Sequence, residues 1–253
     1  MIGVDAYFRF PSAMSHGLVL SALLALPVLR GAVPLNTAVV PSLNGSVEVD
    51  GQLDEPVWGE ARTLSPFVKN GDGSPVGDKT VVRIFYDRQA LYLGWEIQDA
   101  DIQATFTARD SRFWEEEVVE FFLSIEKLDT YFELQWNPLG GIFDAVIHNK
   151  LGANGESKGI DGDWSFTAKN MSSAVRVQGT VGKGEDTDQG WTVEARIPFA
   201  DLGVSTPQAG TRWRANFYRF NRGGKISVEK QSWTPTLDPM FHQPSRFGVL
   251  VFK

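Results

Sequence analysis

The stretch Thr80-Val81-Val82-Arg83-Ile84-Phe85-Tyr86-Asp87-Arg88-Gln89-Ala90-Leu91-Tyr92-Leu93-Gly94-Trp95-Glu96-Ile97 decides the fold. Two runs rich in β-branched and aromatic residues flank a short polar turn at 87–90, which reads as a hairpin with a type I style loop. Downstream the same grammar recurs at 118–125, 131–136, 142–148, 175–181, 191–197, 213–220 and 247–252. Turns by composition separate several of these, as at Asn137-Pro138-Leu139-Gly140-Gly141, and 198–203 reads as one helical turn closed by its glycine. Upstream, 46–49 alternates like a strand before Asp50-Gly51. Residues 53–58 then look like a helix start, with Asp54 able to cap, Pro56 in the first turn and Trp58 plugging one end of the core. Counting all of these gives about nine strands with no βαβ spacing, which predicts an all-β fold, an antiparallel sandwich of jelly-roll type.

Composition agrees. The 253 residues include 25 Gly, 13 Pro and 12% aromatics, which suit short strands and tight connections. No internal repeat or Ser/Pro/Thr-rich linker divides the chain, so 39–253 reads as one domain. Before it, residues 18–29 (LVLSALLALPVL) are too short an apolar run to span a bilayer and long enough for a secretory leader. Segment 1–38 is thus expected to be a signal peptide plus a loose N-terminal stretch, with Met14 as an alternative start and processing between Gly31 and Ala38. The protein is expected to be exported, periplasmic or extracellular, monomeric, and without a membrane span after processing. A net charge of −7 offers no basic footprint for nucleic acid or anionic lipid. The absence of cysteine removes disulfides, thiolate metal sites and cysteine nucleophiles, and three histidines argue against a histidine-built metal site.

The most chemically loaded stretch is Arg109-Asp110-Ser111-Arg112-Phe113-Trp114-Glu115-Glu116-Glu117-Val118-Val119-Glu120-Phe121-Phe122. Glycoside hydrolysis needs two carboxylates about 5 to 10 Å apart across the scissile bond, and Glu115, Glu116, Glu117, Glu120 and Glu133 are available, but no spacing selects a pair. Binding is better supplied. Sugars stack their C–H faces on aromatic rings and pair their hydroxyls with charged or amide groups, and Trp114 with Glu120 offers both. Extended chain would set the two about 20 Å apart, so Trp114 is expected on a loop that curls back over the sheet, with Glu115 to Glu117 as its solvated polar edge. A second surface is the Pro-bounded loop 238–246, stiff enough to present Phe241. In the glycine-rich loop 70–78, Asp72 and Asp78 are candidate ligands for a hard cation such as calcium, a solvated turn being the simpler reading.

Five pieces in order carry a resemblance: Val49-Asp50-Gly51-Gln52-Leu53-Asp54-Glu55-Pro56-Val57-Trp58, Tyr86-Asp87 before Leu91-Tyr92-Leu93, Trp114-Glu115-Glu116-Glu117-Val118-Val119-Glu120-Phe121-Phe122, Gly190-Trp191-Thr192-Val193-Glu194-Ala195-Arg196-Ile197-Pro198 and Pro244-Ser245-Arg246-Phe247-Gly248-Val249-Leu250. From Ser46 onward the chain resembles the family 9 carbohydrate-binding modules. The resemblance implies a non-catalytic β-sandwich that grips a glycan end between two aromatic side chains, serves polysaccharide catabolism, and carries structural calcium. It implies Trp114 as one jaw, Glu120 as hydroxyl acceptor, Phe241 in place of the second jaw, and Gln135 as the amide ligand. Two departures stand out: Phe241 where the family pattern has Trp, and Glu133 where it has a binding Arg. Two alternatives remain beside this, hydrolysis of O-glycosyl compounds, and a b-type haem site of the kind related sandwiches hold, for which Met240 and His242 are the cluster able to ligate.

Overall fold

Alternation along the chain produces two faces per strand, and the structure uses both. A computed structural model of the chain describes residues 33–223 and 228–253; the leader-like run 18–29 lies outside them. The strands are β1 (Thr37–Val40), β2 (Arg62–Leu64), β3 (Val68–Lys69), β4 (Thr80–Tyr86), β5 (Ala90–Gln98), β6 (Val118–Ser124), β7 (Thr130–Trp136), β8 (Ile142–Leu151), β9 (Ser157–Asp163), β10 (Ser172–Gln178), β11 (Gly190–Pro198), β12 (Arg212–Asn221), β13 (Glu229–Ser232) and β14 (Gly248–Phe252). One sheet runs β1-β14-β12-β6-β7-β8-β9, with β13 continuing beside β12 and β3 beside β13, and the other runs β10-β11-β5-β4-β2. All ladders are antiparallel except the β1 to β14 pair. Residues 35–253 form one compact unit. Among the described residues no helix is long and apolar enough to cross a membrane.

The hairpin read first is β4 and β5, paired from Thr80 with Ile97 to Tyr86 with Leu91. Asp87 closes its turn by accepting the amides of Gln89 and Ala90. Val82, Ile84, Leu93, Trp95 and Ile97 point inward and meet Val119, Phe121, Leu123, Leu134, Trp136 and Phe217 of the larger sheet in the main core. Fully burying a side chain of this size contributes about 1.5–3 kcal/mol.

Four expectations change. Residues 46–49 are not a strand: the Glu48 amide donates to the Glu55 carboxylate instead of a neighbouring strand, and Val47 packs against the cluster around Val57 and Trp58. The short helix α1 (Pro56–Glu60) starts from Glu55, not Asp54, and has no side-chain cap. Residues 37 and 38, expected in the loose N-terminal stretch, join 39 and 40 in β1, held by ladder bonds to β14. Trp58 is buried as expected, 1% exposed, but it packs edge-on to Phe85 on the outer face of the smaller sheet and not at an end of the core. Its indole N–H donates to Glu194 at 3.0 Å, and the amides of Asp50 and Gly51 donate to the same carboxylate at 2.9 and 3.0 Å.

Glu194→Ala leaves three donors without their acceptor and is expected to cost about 3 kcal/mol, a Tm lower by about 6 to 12 °C in a domain of this size. An unchanged melting curve by circular dichroism would contradict this accounting.

Candidate functional site

Strand β6 sends Val119, Phe121 and Leu123 into the core between the sheets and Val118, Glu120 and Phe122 to the outer face of the larger sheet. β7 does the same with Tyr131, Glu133 and Gln135, and β12 with Tyr218 and Phe220. That outer face is covered by segment 101–117 and by the loop before β14, which bring in Phe113, Phe241 and Phe247. Where the cover is incomplete there is a cavity of about 360 Å³, lined by Trp114, Glu120, Glu133, Ile160, Trp164, Phe220, Arg222, Lys230, Met240, Phe241 and His242.

Four residues singled out from sequence, Trp114, Glu120, Glu133 and Phe241, thus line one cavity. Trp114 sits in a 3-10 turn, Phe113–Glu115, whose chain has folded back over the sheet. The three glutamates that follow do three different things. Glu115 pairs with Arg112 at 3.0 Å, and Glu116 accepts the amides of Thr105 and Phe106. Glu117 is not a solvated edge: it is fully buried, 3.6 Å from the Arg219 guanidinium, and accepts the Arg222 amide. Arg222 in turn donates to the Trp114 carbonyl at 2.7 Å. Gln135 lies behind the cavity wall, fully buried, donating to Glu133 Oε1 at 2.6 Å and paired across the ladder with Glu120.

Phe241 does not stand free as a second jaw. It is 4% exposed, stacked on Tyr218 at 4.1 Å and 14°, with the Lys230 ammonium 5.8 Å from its ring centroid. The Tyr218 hydroxyl donates to its carbonyl at 3.0 Å, and Asn149 donates to the His242 carbonyl at 3.1 Å, so the loop is fastened at the cavity floor. The second exposed ring is Trp164, 53% exposed and not singled out from sequence. Its centroid lies 6.3 Å from that of Trp114, tilted by 41°, and both rings rest edge-on against Phe143. Two rings in contact with opposite faces of a sugar stand about 7–8 Å apart, so these two form adjoining walls. Gly162 permits this: a Cβ there would meet the Trp164 indole at 2.7 Å.

The floor is electrostatically unusual. Glu120, 2% exposed, makes no hydrogen bond through its carboxylate to any described residue. Burial, then the neighbouring Glu133 charge, push its pKa well above the ordinary range, against the opposing pull of Lys230. Burial likewise raises Glu133, partly offset by the Gln135 hydrogen bond. Burial depresses His242 to about 4, leaving a neutral imidazole at neutral pH whose Nδ1 is 2.8 Å from the Tyr131 hydroxyl. Met240 and His242, the alternative haem ligands, therefore both line the cavity, with His242 already engaged.

A more open polar cleft of about 800 Å³ adjoins across Lys230 and includes Asp72, Asp78 and Asp238. Asp72 accepts the Ser74 amide, and Asp78 accepts from Asn221 at 2.9 Å. Among the described residues no group of three or more acidic or imidazole side chains is gathered for a metal. Calcium takes six to eight oxygens, and Asp72 and Asp78 do not by themselves fit it.

Glu120 and Glu133 hold protons more tightly folded than unfolded. Their stabilisation is complete below the ordinary value of 4.5 and is lost as pH rises through the raised folded values. His242 acts oppositely, its contribution present above its ordinary 6.5 and lost as pH falls toward about 4. Glu133→Gln separates the two: by chemical denaturation the variant should gain stability relative to the native protein between about pH 5 and pH 8. A pH-independent difference would contradict the raised carboxyl pair.

Comparison with known proteins follows the same lines. Seven chains of solved structures match. A structure described as a carbohydrate-binding protein from Bacteroides uniformis superposes with a TM-score of 0.67 at 20% identity, covering 87% of this chain and 100% of that one. A family 9 carbohydrate-binding module from Caldicellulosiruptor kristjanssonii in complex with cellotriose gives 0.58 at 16%, covering 86% and 94%, and one in complex with glucose gives 0.57 at 17%, covering 86% and 96%. No curated protein matches. The family model described as carbohydrate-binding family 9 matches residues 70–252, and the chain belongs to that family.

Proposed function

We propose that this carbohydrate-binding chain holds a sugar ring of an oligo- or polysaccharide in the cavity of about 360 Å³, without catalysis. The observation that carries the reading is Glu120, a buried carboxyl group with no hydrogen-bond donor among the described residues, facing a cavity walled by Trp114 and Trp164. Leaving such a group unpaired costs about 1–3 kcal/mol or more, and a sugar hydroxyl supplies the missing donor. The indole faces take the apolar C–H side of the ring. Phe241 and Phe220 form the floor, and Glu133, held by Gln135, offers the second acceptor.

Hydrolysis is poorly served by this arrangement. A glycosidase sets its two carboxylates on either side of the scissile bond, whereas Glu120 and Glu133 rise from neighbouring strands of one floor. The apolar run 18–29 supports export as part of the same proposal, and service to polysaccharide catabolism outside the cytoplasm follows from such a location.

Titration calorimetry against a panel of mono- and oligosaccharides, glucose and cellotriose included, tests the reading. Saturable binding weakened about 10- to 100-fold in Glu120→Ala is expected, a sugar hydroxyl being left without its partner in a desolvated site. Absence of binding to every glycan of the panel, or an undiminished affinity in the variant, would refute it.

A further inference from the structure

We propose that the mouth of the cavity takes an apolar substituent carried by the sugar, an ester-linked acyl group or an alkyl or aryl aglycone; this rests on the sugar site proposed above. Three large apolar side chains stay exposed around that one opening: Ile160 at 39%, Trp164 at 53% and Met240 at 55%. They come from separate places, Ile160 from the edge strand β9, Trp164 just beyond it and Met240 from the loop before β14. Convergence of exposed apolar groups from separate elements on one rim marks a contact surface, where scattered ones need no explanation.

The chemistry of the rim differs from that of the interior. Flat rings suit the C–H face of a sugar, because the face of the π-system attracts polarised C–H groups. Ile160 and Met240 have no such face, and sugar hydroxyls laid against them would lose water without gaining a partner. Hydrocarbon laid against them loses nothing polar, and methionine, unbranched and polarisable, adapts to groups of varied shape. The polar groups of the cavity, Glu120, Glu133 and His242, lie at the buried end, 2%, 4% and 17% exposed for the first, second and the imidazole side chain. A ligand that matches this gradient is amphipathic, its hydroxyls directed inward and its apolar group at the rim.

The test uses the full chain and matched methyl and hexyl β-glycosides of glucose, galactose, mannose and xylose, with cellobiose and glucose alongside. For the sugar that binds, the hexyl glycoside should bind about tenfold or more tightly than the methyl glycoside, since each buried methylene adds several-fold in affinity. In the double variant Ile160→Thr/Met240→Gln, checked for folding by circular dichroism, that ratio should fall toward one. Equal affinity for the two glycosides in the native protein overturns the inference while leaving the sugar site standing. A ratio that persists in the double variant overturns it too, as does cellobiose gaining as much over glucose as the hexyl chain does, with the gain lost in the variant, for the rim then reads a second sugar. If no glycoside and no saccharide binds, the site itself fails and the inference with it.

Discussion

The Arg219 guanidinium, fully buried between the sheets, is the constraint on which the site depends. It pairs with Asp99 at 2.9 Å and Glu117 at 3.6 Å and donates to the Gln98 carbonyl at 2.8 Å. Asp99 and Gln98 belong to the end of β5 and its following turn, Arg219 to β12, and Glu117 to the segment that leads into β6. One charge therefore ties both sheets to the chain that carries Trp114. Breaking such a buried group by removing a partner costs about 3–5 kcal/mol, because the remaining charge is left in a poor solvent. The tie continues outward: Glu117 accepts the Arg222 amide, and Arg222 holds the Trp114 carbonyl. An aromatic wall on a 3-10 turn is thereby fixed to the core without being part of it.

The second consequence concerns the outer sheet face. An antiparallel sheet with one face in the core usually turns a polar face to water, yet here Phe122, Tyr131, Phe143, Tyr218 and Phe220 form a second apolar cluster there. The loops that cover it are short of closing, and two carboxylates are left in the gap. Covered on nearly every side by rings, Glu120 and Glu133 lose hydration, which is why burial dominates their pKa shifts. In the proposed function, the same arrangement that raises their cost in the free protein prepares them for a ligand bearing hydroxyl groups.

Much of this was legible in the sequence. The β4 to β5 hairpin, β6, β7, β8, β11, β12 and β14 follow from period-two alternation, and Trp114, Glu120, Glu133 and Phe241, which stand out in the sequence, converge on one cavity. The elements that the sequence hides are hidden for physical reasons. β9, Ser-Lys-Gly-Ile-Asp-Gly-Asp, has no apolar alternation because both its faces are largely exposed, and its strand form comes from the ladder to β8. Trp164 follows it, and its place at the cavity is set by tertiary contact with Trp114, Phe143 and Gly162. The adjacency of Trp114, Glu115, Glu116 and Glu117 suggested one polar loop, whereas the 3-10 turn sends successive side chains in different directions and buries Glu117. Phe241 lines the cavity but is stacked on Tyr218, a contact between β12 and a distant loop that no local pattern in the sequence shows.

Of the eight tryptophans, Trp58, Trp95, Trp136, Trp191, Trp213 and Trp233 are buried, and Trp114 and Trp164 face the cavity. Intrinsic tryptophan emission titrated with oligosaccharides therefore reads this cavity above any other place on the molecule. The account requires a saturable change in the native protein that disappears in the double variant Trp114→Leu/Trp164→Leu. A saturable change that survives in that variant would put the ligand elsewhere and contradict it.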